Sequence, residues 1–190
     1  MSIKPIVAYG DPVLKKKASP IDKDHQGLQQ IIADMWDTMY NAEGVGLAAP
    51  QIGESIRLFV IDANPFAGED PVLDGFKKVF INAEITEEKG KEWLFNEGCL
   101  SFPELREDLQ RKPEITIRYQ DENFNRHEET YKGIAARIIQ HEYDHIEGKL
   151  MVDHISPLKK TLLRKKLSNI SRGLVSVNYP MKFPLRGGKR

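Results

Sequence analysis

The chain has a single cysteine, Cys99, among 190 residues. One thiol cannot close an internal disulfide, so the fold does not rest on an oxidising compartment. No window holds the roughly 18 apolar residues that a membrane span requires, and Met1 to Gly10 lacks the apolar run of a secretory signal. These absences read as a soluble, cytoplasmic protein with no membrane partner. A net charge is missing as well: 28 Lys and Arg balance 28 Asp and Glu, and no DNA partner is expected from such a total. There is no internal repeat and no low-complexity tract.

What is present suits one domain spanning 1–190, because 40% hydrophobic content over this length can build a sizeable core. The balanced charge conceals an asymmetry. From Ser156 to Arg190 there are ten Lys and Arg and no Asp or Glu, leaving 18 basic against 28 acidic residues before them. A basic C-terminal helix and tail, about 156–190, follows an acidic body. It suits an anionic partner, although a charge run is also an ordinary solvated face.

Periodicity divides the chain. Residues 1–20 read as an irregular arm, with exposed Lys15 to Lys17. Leu28, Ile31, Ile32, Met35 and Met39 repeat at helical spacing and predict a helix over 24–41, with Asp22 or Asp24 as its cap. Gly44-Val45-Gly46-Leu47-Ala48-Ala49-Pro50-Gln51 is either a tight turn or a place of close backbone approach, its Gln51 amide able to serve an oxyanion. Strands are predicted over 56–62 and 77–86, joined by a surface loop over 63–76, and a hairpin over 113–121 and 126–132. Ser156-Pro157 opens a last helix, with Leu158, Leu162, Leu163, Leu167 and Ile170 on one side, ending near Gly173. Nothing after Leu174 is strongly patterned.

The chemistry concentrates in His141-Glu142-Tyr143-Asp144-His145, on a helix opened by Gly133. Two histidines four residues apart lie one above the other on a helix and can reach one metal ion. Glu142 then sits beside the metal, placed to take a proton from water. A catalytic site of this kind uses three protein ligands, so one more is needed. Met151 stands where a metzincin has its third histidine, and no Glu follows Glu147. Cys99, in Glu97-Gly98-Cys99-Leu100-Ser101, offers a thiolate; Asp153 and His154 remain as alternatives. An HExxH metalloendopeptidase is one reading. Another is a structural metal site beside an RNA-binding tail, which the lack of a fourth ligand disfavours.

The three segments 44–51, 97–101 and 141–145, in this order and spacing, resemble the motifs of the peptide deformylases. That resemblance implies a hydrolase that removes the N-terminal formyl group from formylmethionine of nascent polypeptides. It implies that Cys99, His141 and His145 bind one divalent metal ion per chain, Fe2+ by family habit, with Zn2+, Ni2+ or Co2+ able to replace it in purified protein. Glu142 becomes the general base, and Gln51 with the backbone N–H of Leu100 meets the oxyanion. The formylmethionyl peptide would run along Val45, Gly46, Glu97 and Gly98, its side chain in a pocket near Ile134, Ile138 and the ring of His141. Arg137 stands at the pocket edge where an apolar residue is expected; its stem would cover apolar surface while its guanidinium reaches water. Glu97 would be ordered by Arg106 or Arg111, and Asp144 would orient a ligand histidine. The basic segment would contact the ribosome. The implied fold is α+β, with mixed or antiparallel sheets around a central helix carrying HExxH, an N-terminal helix and a C-terminal helix.

Overall fold

The structure, a computed structural model, describes residues 2–185. Met1 and the last five residues of the basic tail lie outside the described residues. The strands are β1 (Ile6–Val7), β2 (Gly46–Ala48), β3 (Leu58–Asp62), β4 (Lys77–Lys89), β5 (Trp93–Gly98), β6 (Arg106–Arg111), β7 (Glu114–Gln120), β8 (Arg126–Lys132) and β9 (Met181–Lys182). The helices are α1 (Leu28–Asn41), α2 (Gly133–Ile146), α3 (Pro157–Leu162) and α4 (Arg164–Ser171). The result is a mixed α+β fold. A five-stranded antiparallel sheet runs in the order β2-β3-β4-β7-β8; β5 and β6 pair antiparallel, and β1 and β9 pair in parallel.

Strand β3 shows why the core forms where it does. Successive side chains of a strand point to opposite faces. Phe59 and Ile61 join Phe80, Ile115 and Ile117 beneath Ala135, Ala136, Ile139 and Ile146 of α2. Leu58 and Val60 turn the other way, to Leu28, Ile32, Met35 and Met39 of α1. Both faces of β3 are covered. The Phe59 and Phe80 rings stack with centroids 4.7 Å apart, and burying each such ring contributes about 1.5–3 kcal/mol. A third cluster holds Phe102, Leu105 and Leu109 near the cysteine loop together with Leu167 and Ile170 of α4.

Helix α2 stops soon after His145 for a local reason. Gly148 has φ +71°, a left-handed conformation, and Lys149 N–H closes on the Asp144 carbonyl at 2.9 Å. A Cβ on Gly148 would also lie 2.6 Å from the Lys15 carbonyl oxygen. Only glycine meets both conditions easily.

Several expectations change. Helix α1 starts at Leu28 behind Gly27 and has no side-chain cap; Asp22 accepts from Asp24 N–H in the preceding turn instead. The irregular arm contains β1, and the unpatterned region after Leu174 contains its partner β9. The 63–76 connection carries two short 3-10 turns and buries Leu73. The hairpin β5–β6 was invisible to hydrophobic alternation because Glu107 and Arg111 occupy buried positions beside Leu109. The last helix breaks at Leu163 into α3 and α4. Of the expected apolar face only Leu167 and Ile170 are buried, while Leu158 and Leu162 are 72% and 75% exposed, so a continuous apolar face is absent. No helix among the described residues is long and apolar enough to cross a membrane.

Candidate metal centre

Two elements supply the centre. Strand β5 ends at Gly98, and Cys99 begins the loop that leads to β6, its first turn closed by Phe102 N–H donating to the Cys99 carbonyl at 2.8 Å. The last turns of α2 carry His141, Glu142 and His145. One ligand atom from each of Cys99, His141 and His145 lies within 4.8 Å of the others, with Cys99 Sγ 3.4 Å from His145 Nε2. Among the described residues no other set of this kind is present.

The donor chemistry fits a cation. Burial lowers the His145 pKa to about 3, with His141 adding to the effect, so its imidazole is neutral and keeps a lone pair. Burial also opposes charge on His141, but the Cys99 sulfur and the Glu97 carboxylate outweigh it and raise its pKa well above the ordinary value. A half-buried sulfur and a buried carboxylate therefore call for positive charge at this point, and a divalent ion would supply it. With Nδ1 of His141 2.9 Å from Glu97 Oε2, its Nε2 is left for a ligand bond.

Glu97 is itself held from two sides. Arg111 donates from Nε to Oε1 at 2.8 Å and from Nη2 to Oε2 at 3.1 Å; Arg137 donates from Nη1 to Oε1 at 3.0 Å. Burial favours the neutral acid, yet the His141 and Arg111 bonds prevail and keep the carboxyl below its usual range. Of the two arginines expected to order Glu97, Arg111 does so. Arg106 turns to Asn96, donating to its side-chain oxygen at 2.7 Å and its carbonyl at 2.8 Å.

Two further expectations are corrected. Asp144 bonds His154 at 2.7 Å and Arg111 at 2.8 Å rather than a ligand histidine; the carboxylate on His141 belongs to Glu97. The Arg137 guanidinium does not reach water, since the residue is 2% exposed. Its fork finds Glu97, the Leu109 carbonyl at 3.1 Å and the Trp93 carbonyl at 2.7 Å, which no periodicity argument could anticipate.

The centre opens on a cavity of about 480 Å³. Val45, Gly46, Gln51, Glu97 and Gly98 line it, as do Leu100, Arg137, Ile138, His141 and Glu142. Ile134 is not among its walls; it packs half-buried against the main core. Phe66 and Phe95 are apolar walls missed in the sequence, Phe66 because it sits in the connection read as a surface loop.

Glu142 is buried, which pushes its carboxyl up to about 7. Its room comes from Gly46, where an added Cβ would lie 2.4 Å from Glu142 Oε1. Gln51 accepts from Ala48 N–H at 2.9 Å, which turns its amide nitrogen toward Ser101 Oγ at 3.2 Å and Cys99 Sγ at 3.6 Å. Tyr179, from the segment before β9, donates its hydroxyl to the Leu100 carbonyl at 2.9 Å. Burial, with Cys99 adding, pushes that phenol up to about 12, so it stays a donor.

Comparison with known proteins places this arrangement. A family model described as polypeptide deformylase matches residues 3–161. The chain is 60% identical over 189 residues to a peptide deformylase of Christiangramia forsetii, covering 96% of each chain. It is 56% identical over 188 residues to one from Flavobacterium psychrophilum, covering 95% of this chain and 97% of that one. A crystal structure of a peptide deformylase from Legionella pneumophila superposes with a TM-score of 0.78 at 42% identity, over 91% of this chain and 98% of the other.

Proposed function

The chain belongs to the polypeptide deformylase family, enzymes that remove the N-terminal formyl group from nascent peptides, and we propose that Cys99, His141 and His145 hold its metal while Glu142 handles the proton. The observation that carries this reading is the convergence of one thiol and two imidazoles beside a buried carboxyl at the floor of a cavity. An endopeptidase reading is not favoured, given the family.

When bound, a divalent ion lowers the pKa of a water toward about 7 and draws charge from the substrate oxygen. Glu142, with a pKa near neutrality, accepts the water proton as the C–O bond forms at the formyl carbon. The negative charge that grows on the formyl oxygen is met by the Gln51 amide and the Leu100 N–H; each such donor is worth about 2.7–4 kcal/mol. As the C–N bond breaks, Glu142 returns the proton to the departing amine. Formate and a free N-terminus are the products.

The peptide lies along Val45, Gly46, Glu97 and Gly98 in the manner of an added strand. Its first side chain enters the apolar part of the cavity by Ile138 and the His141 ring, where Phe66 and Phe95 also stand. Ile134 supports that wall from the core side rather than touching the side chain, and Arg137 acts from behind Glu97.

The resident metal is Fe2+ in this reading, with Zn2+, Ni2+ and Co2+ able to occupy the same donors, since imidazole and thiolate suit all four. Residues 1–190 form one catalytic domain, with α2 as its central helix. The apolar face of α2 within the main core supports that placement. The protein works in the cytoplasm and meets the ribosome through the basic segment 156–190. Arg164, Lys165 and Lys166 are exposed and suit a phosphate surface, whereas Lys159 and Lys160 are paired with Glu107 and Asp153.

The test is anaerobic purification with metal analysis, followed by formate release from a formyl-Met peptide by the wild type and by Cys99→Ser, His141→Ala and His145→Ala. Each variant should lose metal and activity together. A variant with full metal content and full turnover removes that residue from the ligand set.

A further inference from the structure

The metal ligands come from two separate pieces of chain: Cys99 lies in the loop that joins β5 to β6, and the histidines ride on α2. Something must fix the distance between them. The side chain that spans the gap is Arg137, one helical turn before His141. Its Nη2 donates to the Trp93 carbonyl of β5 at 2.7 Å, and its Nη1 to the Leu109 carbonyl of β6 at 3.1 Å and to Glu97 Oε1 at 3.0 Å. The guanidinium also lies 4.6 Å from the centroid of the Trp93 ring. The other oxygen of Glu97 receives His141 Nδ1.

We infer that Arg137 is a positioning residue for the metal centre, locking the cysteine-bearing hairpin onto the histidine-bearing helix and aiming Glu97 at His141. The inference rests on the ligand set proposed above. A planar fork suits this task because it delivers several donors in fixed directions, and its bonds are made inside the protein, where they are not traded for water. Arg111 grips Glu97 from β6 alone and reaches α2 only through Asp144, on the turn beyond His141. Arg111 thus also joins β5, β6 and α2, but through side chains alone; Arg137 reaches from the helix to the backbone carbonyls of both hairpin strands. Lysine, with a point charge on a flexible stem, cannot hold both carbonyls and the carboxylate together.

The experiment compares Arg137→Met and Arg137→Lys with the wild type, using three readouts. These are the metal dissociation constant by competition with a chelator, the visible spectrum of the cobalt(II)-loaded protein, and kcat and KM on a formyl-Met peptide. Loss of an outer partner of a ligand histidine typically weakens metal binding by about 10- to 100-fold. The expected order of affinity is wild type, then Lys, then Met, with an altered cobalt spectrum and lower kcat at unchanged KM. Ile139→Val, a core change on the same helix, should lower the melting temperature without altering the spectrum. If Arg137→Met does not fold, Arg137→Lys, which keeps the charge, decides the matter. A folded variant with wild-type affinity and spectrum overturns the inference. Cys99→Ser separates the two levels: if it binds metal as the wild type does, the ligand set falls and this inference with it. If it loses metal while the Arg137 variants keep theirs, the inference falls alone.

Discussion

Glu97 Oε2 lies 2.9 Å from His141 Nδ1, so the carboxylate that heads the cysteine segment also sets the direction of a proposed ligand on α2. Replacing Glu97 by Gln leaves Arg111 and Arg137 buried beside a neutral amide. Breaking such a buried pair costs about 3–5 kcal/mol. Chemical denaturation of Glu97→Gln should show that loss, and metal affinity should fall with it. Wild-type stability would show that the two arginines find other partners.

The same contact predicts a pH dependence. The Glu97 carboxyl is lowered from its ordinary 4.5, with burial opposing and the His141 and Arg111 bonds prevailing. A depressed carboxylate contributes stability that is fully present above its unfolded pKa and is lost as pH falls through the folded one. Urea titrations of metal-free protein from pH 7 to below about 4 should therefore show stability declining at the acid end, with a shallower decline in Glu97→Gln. Parallel curves would remove Glu97 as a source of acid lability.

Gly46→Ala should disable the enzyme without removing the metal. The added methyl would sit 2.4 Å from Glu142 Oε1, so the carboxylate must shift. A displacement of about 1 Å at a reacting group can cost roughly 100-fold in rate. The check is kcat together with metal content. Turnover within a few-fold of wild type would mean that Glu142 works from elsewhere.

Glu142→Gln should retain metal and lose hydrolysis by about 100- to 10,000-fold, because the amide cannot take a proton from water. Steady-state rates on a formyl-Met peptide, with metal measured in the same sample, test the role. Near-normal rates with metal bound would assign the proton to another group.

The basic segment needs a more selective test than truncation. Removing everything after Gly173 would delete Tyr179, which holds the Leu100 carbonyl, and β9, which pairs with β1. Such a protein should lose activity for reasons unrelated to a ribosome. Charge reversal at exposed Arg164, Lys165 and Lys166 avoids this. It should reduce ribosome co-sedimentation at low salt and spare turnover of short peptides. Undiminished co-sedimentation would leave the segment as a solvated cover.

Much of the centre was legible because helical spacing is rigid: two histidines four apart can be read as neighbours before any fold is known. The main helices and the long strands were legible for the same reason. Of the contacts around Glu97, the sequence offered only an arginine partner, Arg106 or Arg111, and of these Arg111 fills the role; the bonds to Arg137 and His141 were not legible. Arg137, Arg111 and Glu107 are charged residues at buried positions of α2 and β6, where a polarity pattern places them on the surface. Their burial is possible because the charges pair, and pairing across the chain leaves no local signal. The C-terminal strand was hidden differently: β9 is two residues long, and its partner β1 lies 175 positions away at its nearest register pair, Ile6 with Met181. Leu158 and Leu162 misled in the opposite sense, since an apolar repeat predicts a buried face only when the helix runs unbroken.

The ligand set is tested most directly by anomalous diffraction from a metal-loaded crystal, with data collected on either side of the metal's absorption edge. The expected result is one peak per chain, within bonding distance of Cys99 Sγ and of an imidazole nitrogen of both His141 and His145. A peak at full occupancy that touches the two histidines but not Cys99, or one centred on Asp153 and His154, would contradict it.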